Sequence, residues 1–241
     1  MRWLEVSLAT SAENAEAVAD VLARFASAGT AISGEAGTAG ATLTVRSYLP
    51  EPDASAASYF FAAAAVTGSR VVVPRLGRAS AQGDLGLLEV LARMGCEVTV
   101  GAESVTVRGP ATLRAVDADF TRMGDVATTL MAIAPFADGP VTVRGIAQTH
   151  FEESDRPVAA ATELRRMGLH VESSWDAVTI HPGPPQPADV QTYDDHRIAM
   201  SFAVTGLRAP GIRIVNPACV SKTFPEFFDV LRGMVTRPLT P

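Results

Sequence analysis

Residues 194–197 read Asp-Asp-His-Arg and stand directly before an apolar run at residues 198–204, where the spacing predicts a helix. The start of a helix leaves main-chain N–H groups unpaired and carries partial positive charge. Arg197 adds a two-pronged donor, and an aspartate such as Asp195 can cap the helix and hold His196 or Arg197 in place. These residues are typical of a site for a phosphate or a carboxylate. An ordinary capped helix with a solvated arginine is the alternative.

Lys222 is the single lysine of the chain, since 19 of the 20 basic residues other than histidine are arginines. A lysine ammonium is a compact, strongly hydrated point charge, whereas a guanidinium is flat and delocalised. The lysine precedes a turn and an amphipathic segment, which favours a specific role at this position. The alternative is that one lysine remained by chance.

Charge, hydropathy and cysteine spacing argue against several classes of protein. A net charge of −6 with scattered basic residues argues against a nucleic-acid-binding protein. The longest apolar stretch, residues 60–66, is much shorter than the roughly 18 residues that a membrane helix requires. Cys96 and Cys219 share no motif spacing, which argues against a metal site or a disulfide framework. Because no signal peptide is recognisable at the start, we expect a cytoplasmic protein.

The chain after residue 50 repeats itself. An alanine-rich helix, a glycine and a short strand recur, with the glycines at positions 68, 139 and 211, which are 71 and 72 residues apart. A second helix follows each time, at residues 87–94, 158–167 and 227–234, and a hairpin closes the first two units. We therefore predict an α/β lobe of three helix–strand–helix–hairpin units, packed around an inner bundle of helices at residues 55–66, 128–137 and 198–207.

Residues 1–50 are predicted to form a separate small βαβ segment. Residues 3–8 and 42–48 alternate as strands do, and residues 12–25 carry a helical pattern. Residues 29–40 are rich in glycine, alanine, serine and threonine, and the part at residues 34–40 is predicted to be a flexible hairpin connection. The predicted domains are therefore residues 1–50 and 51–241.

Three repeated units related by rotation bring their equivalent loops to one end of the lobe. The loop at residues 148–156 contributes Glu152, Glu153 and Arg156, the third unit contributes Lys222, and helix starts at Asp125 and Arg197 can join them. Cations and carboxylates that converge in this way suggest a small anionic substrate and acid–base chemistry. Surface ion pairs are the alternative explanation.

Several of these segments closely resemble motifs of 5-enolpyruvylshikimate-3-phosphate (EPSP) synthases, and the resemblance runs from about residue 51 to the end. The matching segments are YDDHRIAM at residues 193–200, KTFP at 222–225, ESDR at 153–156 with ATEL at 161–164, DASAASYF at 53–60 and SAQGD at 80–84. The predicted lobe is similar to one half of that two-lobed fold, an inside-out α/β barrel.

The resemblance implies the transfer of an enolpyruvyl group from phosphoenolpyruvate to shikimate 3-phosphate, with release of phosphate and without a metal or an organic cofactor. By motif, Arg156, Arg197 and Lys222 bind phosphoenolpyruvate, Asp125 deprotonates the attacking hydroxyl, and Glu153 handles the methylene proton. Gln148, Glu152 and Asp125 fall at positions that contact shikimate 3-phosphate, although Glu152 stands where the family often has lysine. Asp195 and His196 support the site, and His196 is expected to support Arg197 and not to titrate in catalysis. Complete family members are expected to be monomers.

The other lobe of the family has no counterpart in this sequence, and residues 1–50 instead weakly resemble the opening of ribosomal protein methyltransferases. We therefore expect a truncated or fused half enzyme of the shikimate pathway with negligible turnover alone. A non-catalytic binding or interaction module is the alternative, and a protein methyltransferase fragment is the third.

Overall fold

The computed structural model describes residues 3–11, 30–33, 42–50 and 52–236, with side chains described for residues 52–234. The chain divides into two compact units. One comprises residues 1–52 with 78–82, and the other comprises residues 53–77 with 83–241. All the residues discussed below as a site belong to the second unit.

The first unit contains a three-stranded antiparallel sheet of β1 (Trp3–Ser11), β2 (Thr30–Ser33) and β3 (Thr42–Pro50) in the order β1-β3-β2. Both strands predicted in this segment, at residues 3–8 and 42–48, are thus confirmed. The helix predicted at residues 12–25 lies outside the described residues. The strand β2, which contains the β-branched residues Thr30 and Ile32, was not predicted and pairs with β3, and the connection predicted at residues 34–40 lies outside the described residues.

Three inner helices form the centre of the second unit, as predicted, and they are α1 (Ala54–Thr67), α3 (Ala127–Ile133) and α5 (His196–Gly206). All seven residues of α3 and 12 of the 14 residues of α1 are buried. The inner helix of the second repeat, α3, is shorter than predicted. Pro135 lies in a separate 3-10 turn, Ala134–Phe136, that follows it.

Hydroxyl groups join the inner helices at equivalent positions of the repeat. Ser58 of α1 shares a hydrogen bond of 3.1 Å with Thr129 of α3, and Ser201 of α5 donates one of 3.2 Å to Thr128. Thr205 donates to the main-chain oxygen of Ala132 at 2.8 Å. These pairs are separated by 71 to 73 residues, so the period read from the glycines is also the period of the helix contacts.

Each inner helix is followed by a strand and an outer helix. The outer helices are α2 (Leu87–Arg93), α4 (Arg156–Arg166) and α6 (Phe227–Thr236). The helix α4 begins two residues before the predicted position, since Asp155 caps it and Pro157 is tolerated in its first turn. None of the helices in the described part of the chain combines the length and the apolar character that a membrane span requires.

The strands form one sheet for each repeat. The first sheet has the order β4-β6-β5, the second β7-β8-β10-β9 and the third β11-β12. Their bounds are β4 Arg70–Pro74, β5 Glu97–Val100, β6 Ser104–Arg108, β7 Val116–Asp119, β8 Val141–Arg144, β9 Val171–Ser173, β10 Ala177–Ile180, β11 Ala188–Val190 and β12 Ile212–Ile214. Both predicted hairpins are present and antiparallel. The strands β7 and β11 were not predicted, and each pairs in parallel with the strand that follows an inner helix.

Candidate functional site

The candidate site comprises the side chains that lie around the starts of helices α4 and α5. Seven predicted residues converge there: Asp125, Glu153, Arg156, Asp195, His196, Arg197 and Lys222. They come from the second and third repeats, and the two inner helices α3 and α5 place the two groups side by side.

Asp195 is the N-cap of α5 and is fully buried. Its Oδ1 accepts a hydrogen bond from the main-chain N–H of Arg197 at 2.8 Å. Its Oδ2 accepts from Arg156 Nε at 2.9 Å and from the Ser154 hydroxyl at 2.9 Å. The cap therefore also fixes Arg156, which begins the neighbouring helix α4, so one carboxylate sets the relative position of two helix starts.

A tight turn at residues 193–194 precedes Asp195 and positions it as the N-cap. Tyr193 and Asp194 both have positive φ angles, 55° and 58°, which residues other than glycine rarely adopt. Asp194 accepts a hydrogen bond of 2.9 Å from the Asn216 side chain, and the Tyr193 hydroxyl donates one of 2.7 Å to buried Glu163. Two side-chain bonds thus hold a turn whose backbone is strained.

Two arginines converge on the carboxylate of Asp125, which lies in the 3-10 turn Gly124–Val126 before α3. Arg156 Nη1 donates to Oδ1 at 3.0 Å, and Arg197 Nη2 donates to Oδ2 at 2.8 Å. The arginine side chains are 4% and 14% exposed, whereas Asp125 is 42% exposed. The structure therefore places two nearly buried cations behind a carboxylate that solvent, or a substrate, can reach.

Glu153 lies between His196 and Lys222. His196 Nδ1 is 2.7 Å from Glu153 Oε2, and Lys222 Nζ pairs with the other carboxylate oxygen. Lys222 belongs to the 3-10 helix Pro217–Lys222 and its side chain is 61% exposed. His196 was expected beside Arg197 in a supporting role, whereas its hydrogen bond goes to Glu153.

Glu152 and Gln148 lie at the margin of the site. Glu152 Oε2 is 3.7 Å from Arg156 Nη1, a loose ion pair on an exposed side chain. Gln148 donates to the main-chain oxygen of Gly145 at 3.1 Å and lies against Gly124, next to Asp125. The loop predicted to converge with the helix starts is therefore in contact with them.

Tyr59 lies beneath Arg197 and was not predicted to belong to the site. Tyr59 is fully buried in α1, and neither its hydroxyl nor Arg197 Nε has a hydrogen-bond partner among the described residues. Both residues line a cavity of about 10 Å³, together with His196 and Thr223. That volume is about the size of one water molecule. The only sequence signal for Tyr59 was its place in the segment DASAASYF.

Burial and charge shift several pKa values. Burial by itself raises the pKa of Asp195, but the charge and hydrogen bond of Arg156 and the donors Arg197 N–H and Ser154 together hold it below its usual range. Burial and the neighbouring Arg197 lower the pKa of His196. Burial raises the pKa of Tyr59 to about 12, although the positive charge of Arg197 opposes the shift. At neutral pH the site thus holds an ionised Asp195 and a neutral Tyr59.

A further carboxylate, that of Asp84, belongs to the first repeat and lies near the site. Burial raises its pKa, while a short hydrogen bond from the Ser55 hydroxyl opposes that shift. Asp125 and Arg197 both lie close enough to influence its charge. Asp84 belongs to the segment SAQGD at residues 80–84 and was not predicted to have a role in the site.

The fold is that of the enolpyruvyl transferases. An EPSP synthase structure from Acinetobacter baumannii superposes with a TM-score of 0.68 at 24% identity, covering 95% of this chain and 56% of that one. An enolpyruvyl transferase from Streptomyces tendae gives a TM-score of 0.57 at 18% identity, covering 95% of this chain and 55% of that one. At these identities the likeness concerns the fold alone.

The family follows from sequence. The family model described as EPSP synthase (3-phosphoshikimate 1-carboxyvinyltransferase) matches residues 13–231. A 3-phosphoshikimate 1-carboxyvinyltransferase from Nostoc punctiforme is 50% identical over 190 residues, which are 79% of this chain and 45% of the relative. A chloroplastic relative from Brassica napus is 45% identical over 192 residues, 76% of this chain and 37% of the relative. The chain belongs to the EPSP synthase family.

The residue ranges of these matches can be compared with the predicted domain boundary. The chain spans about half the length of the curated relatives it matches. The family-model match begins at residue 13, earlier than the motif resemblance, which starts at about residue 51. The domain boundary at residue 50 and the weak methyltransferase resemblance of residues 1–50 stay predictions.

Proposed function

We propose that the second unit forms the phosphoenolpyruvate side of the active site of a 3-phosphoshikimate 1-carboxyvinyltransferase. One observation carries this proposal: Arg156, Arg197 and Lys222, predicted as ligands of one small dianion or trianion, lie in a single network of charges. Lys222 and His196 both pair with Glu153. Arg156 pairs with Asp195, and both arginines pair with Asp125.

Phosphoenolpyruvate carries a phosphate and a carboxylate, which two arginines and one lysine can neutralise. Arg197 projects from the first turn of α5, where the partial charge of the helix start also favours an anion. Arg156 is held rigidly by Asp195, so it loses little side-chain entropy on binding. The solvent-exposed Lys222 is the cation that can move to the ligand, exchanging its contact with Glu153 for one with the phosphate.

The reaction needs acid and base groups as well as anion binding. When the hydroxyl oxygen of shikimate 3-phosphate adds to C2 of phosphoenolpyruvate, the hydroxyl proton must leave and C3 must gain a proton. Loss of phosphate from C2 then requires removal of a proton from C3. We assign the hydroxyl proton to Asp125 and the C3 proton to Glu153, whose carboxylates are fixed by the arginines and by His196 and Lys222.

Gln148 and Glu152, at the edge of the site beside Asp125 and Arg156, are assigned to shikimate 3-phosphate. Because both reactants must be held together with water excluded, we propose that turnover requires the remaining length of the relatives as well. No metal or cofactor is assigned a role in this reaction, and a cytoplasmic location and a monomeric state stay predictions.

Phosphate release by a chimera tests the proposal. In the Nostoc punctiforme relative, the matching part is replaced by the corresponding part of this chain. We expect turnover by the chimera, none by the chain alone, and a loss of about 100-fold or more in kcat with Asp125→Asn or Glu153→Gln. Asp189→Asn, at an exposed ion pair on the third sheet, is the matched control and is expected to retain turnover.

A folded chimera without turnover, or one whose rate survives Asp125→Asn, would contradict the assignment. Turnover by this chain alone at a rate near that of the relative would contradict the requirement for both halves. An interaction module without catalytic function predicts a folded but inactive chimera, so the same assay separates the two functions.

A further inference from the structure

Two histidines and a glutamate gather on the solvent face of the hairpin formed by β9 and β10. The rings of His170 and His181 are stacked, with centroids 4.3 Å apart and planes inclined by 26°. His181 Nε2 is 2.8 Å from Glu172 Oε1. One potential ligand atom from each of the three residues lies within 4.8 Å of the other two.

The register of the hairpin brings these side chains together. Val171 pairs with Ile180, and one step further the main-chain N–H of His181 donates to the oxygen of His170 at 3.0 Å. The two histidines therefore stand opposite each other across the strands. Glu172 lies two residues after His170, so the pleat directs it to the same face, while Val171 and Ile180 point into the core. The three side chains therefore lie on the same face because of the strand register, and not only because of their rotamers.

We propose that His170, Glu172 and His181 form a binding site for a divalent transition metal, with Zn²⁺ as the best match. Two imidazole nitrogens and one carboxylate oxygen form a known zinc ligand set, which leaves a fourth tetrahedral position for water. The site is separate from the proposed transferase function. It also uses no cysteine, which is why the cysteine spacing of the sequence gave no sign of it.

The required rearrangement is small. Ligand atoms about 2.1 Å from a tetrahedral zinc lie about 3.4 Å apart, so a cluster that spans at most 4.8 Å must contract by no more than about 1.4 Å. The Glu172 and His181 side chains are 64% and 33% exposed and can rotate without disturbing the core. The metal would replace the hydrogen bond between them and join the two strands of the hairpin.

The other histidines of the chain are engaged elsewhere. Both ring nitrogens of His150 have partners, Asp155 Oδ1 at 2.7 Å and the main-chain oxygen of Trp175 at 2.8 Å. His196 also lies in a cluster of potential ligands, with Glu153 and Asp195, but Lys222, Arg156 and Ser154 already occupy those carboxylates. A cation there would have to displace other cations, whereas Glu172 forms no ion pair with an arginine or lysine of the described residues.

Titration of the metal-free, tag-free chain with ZnCl₂ in a calorimeter tests the site, and Co²⁺ provides a spectroscopic readout. We expect one saturable site, a rise in Tm with Zn²⁺, and visible absorption bands of four-coordinate Co²⁺. His181→Gln and Glu172→Gln are each expected to weaken Zn²⁺ binding at least tenfold. Glu97→Gln, an exposed glutamate on the hairpin of the first repeat, is the matched control and should leave binding unchanged.

Each variant is compared with the parent by circular dichroism in metal-free buffer, and His170→Gln replaces any variant that does not fold. The proposal is overturned if the folded parent shows no saturable Zn²⁺ binding. It is equally overturned if binding persists unchanged in the histidine and glutamate variants, or is lost only in His196→Gln, which would place the metal at the other cluster.

Discussion

Arg156 and Asp195 form an ion pair, with Nε 2.9 Å from Oδ2, in which the two side chains are 4% and 0% exposed. The pair joins the first residue of α4 to the N-cap of α5, so it connects the second repeat to the third at the point where the candidate site begins. The same guanidinium also donates to Asp125, so the pair connects to the other charged residues of the candidate site.

Replacement of Asp195 by alanine is expected to destabilise the protein strongly. The change leaves the guanidinium of Arg156 buried with less compensating charge and removes the cap of α5, so we expect a loss of about 3–5 kcal/mol in the free energy of unfolding. Urea unfolding followed by circular dichroism measures it. Asp189→Ala removes a carboxylate from an exposed arginine pair and should change stability little. Similar losses in the two variants would show that the buried pair contributes nothing specific.

Glu163 is expected to be a positioning residue for the turn before α5. It is fully buried and accepts hydrogen bonds from the Tyr193 hydroxyl at 2.7 Å, the Gln191 main-chain N–H at 3.1 Å and Arg166 Nε at 2.9 Å. Glu163→Ala leaves the turn donors without their acceptor, and we expect a loss of about 2 kcal/mol or more.

The matched variant is Tyr193→Phe, which removes one of the two donors of the turn and keeps the pair of Glu163 with Arg166. Its loss of stability should be smaller than that of Glu163→Ala in the same urea experiment, because the main-chain N–H of Gln191 keeps its acceptor. A Tyr193→Phe variant as stable as the parent would mean that the tyrosine bond to Glu163 does not hold the turn.

Stability is expected to fall as the pH drops below about 6.5, because the pKa of His196 is lowered from its ordinary value of 6.5. The unfolded chain takes up a proton at this histidine before the native protein does, so protons favour unfolding in that window. Well above pH 6.5 both states are neutral at His196 and the contribution is constant. Urea unfolding at pH 7.5 and 5.5 measures the slope.

The variant His196→Gln is expected to show a weaker dependence on pH over this range than the parent. If His196→Gln keeps the full dependence, the histidine is not held neutral by its surroundings.

Much of the lobe could be predicted from the sequence because its inner helices have an unusual composition. Runs such as the four alanines at residues 62–65 occur where a helix is enclosed on all sides, and the repeated glycines gave the period. The strands β7 and β11 were missed since they are short, contain aspartates and depend on parallel partners distant in sequence. In β7 the alternation was present, with Val116 and Ala118 buried and Asp117 and Asp119 exposed, but four residues give a weak signal.

The charged residues of the site could be predicted because their residue types indicate their chemistry. Residues that join the site only through folding could not be predicted. Arginines, a single lysine and acidic residues at helix starts marked the charged network. Tyr59 and Ser154 were missed, because only the folded chain reveals that the tyrosine lies beneath Arg197 and that the serine donates to Asp195. The partner of His196 was also unpredictable, since Glu153 reaches it from another repeat.

Calorimetric titration with phosphoenolpyruvate tests most directly whether this lobe carries the anion-binding half of the site. We expect saturable binding by the parent and a loss of at least about tenfold in affinity with both Arg197→Ala and Lys222→Ala. The control Arg213→Ala, which removes an exposed arginine paired with Asp189, should bind like the parent. Failure of the folded parent to bind, or equal binding by all three variants, would contradict the account.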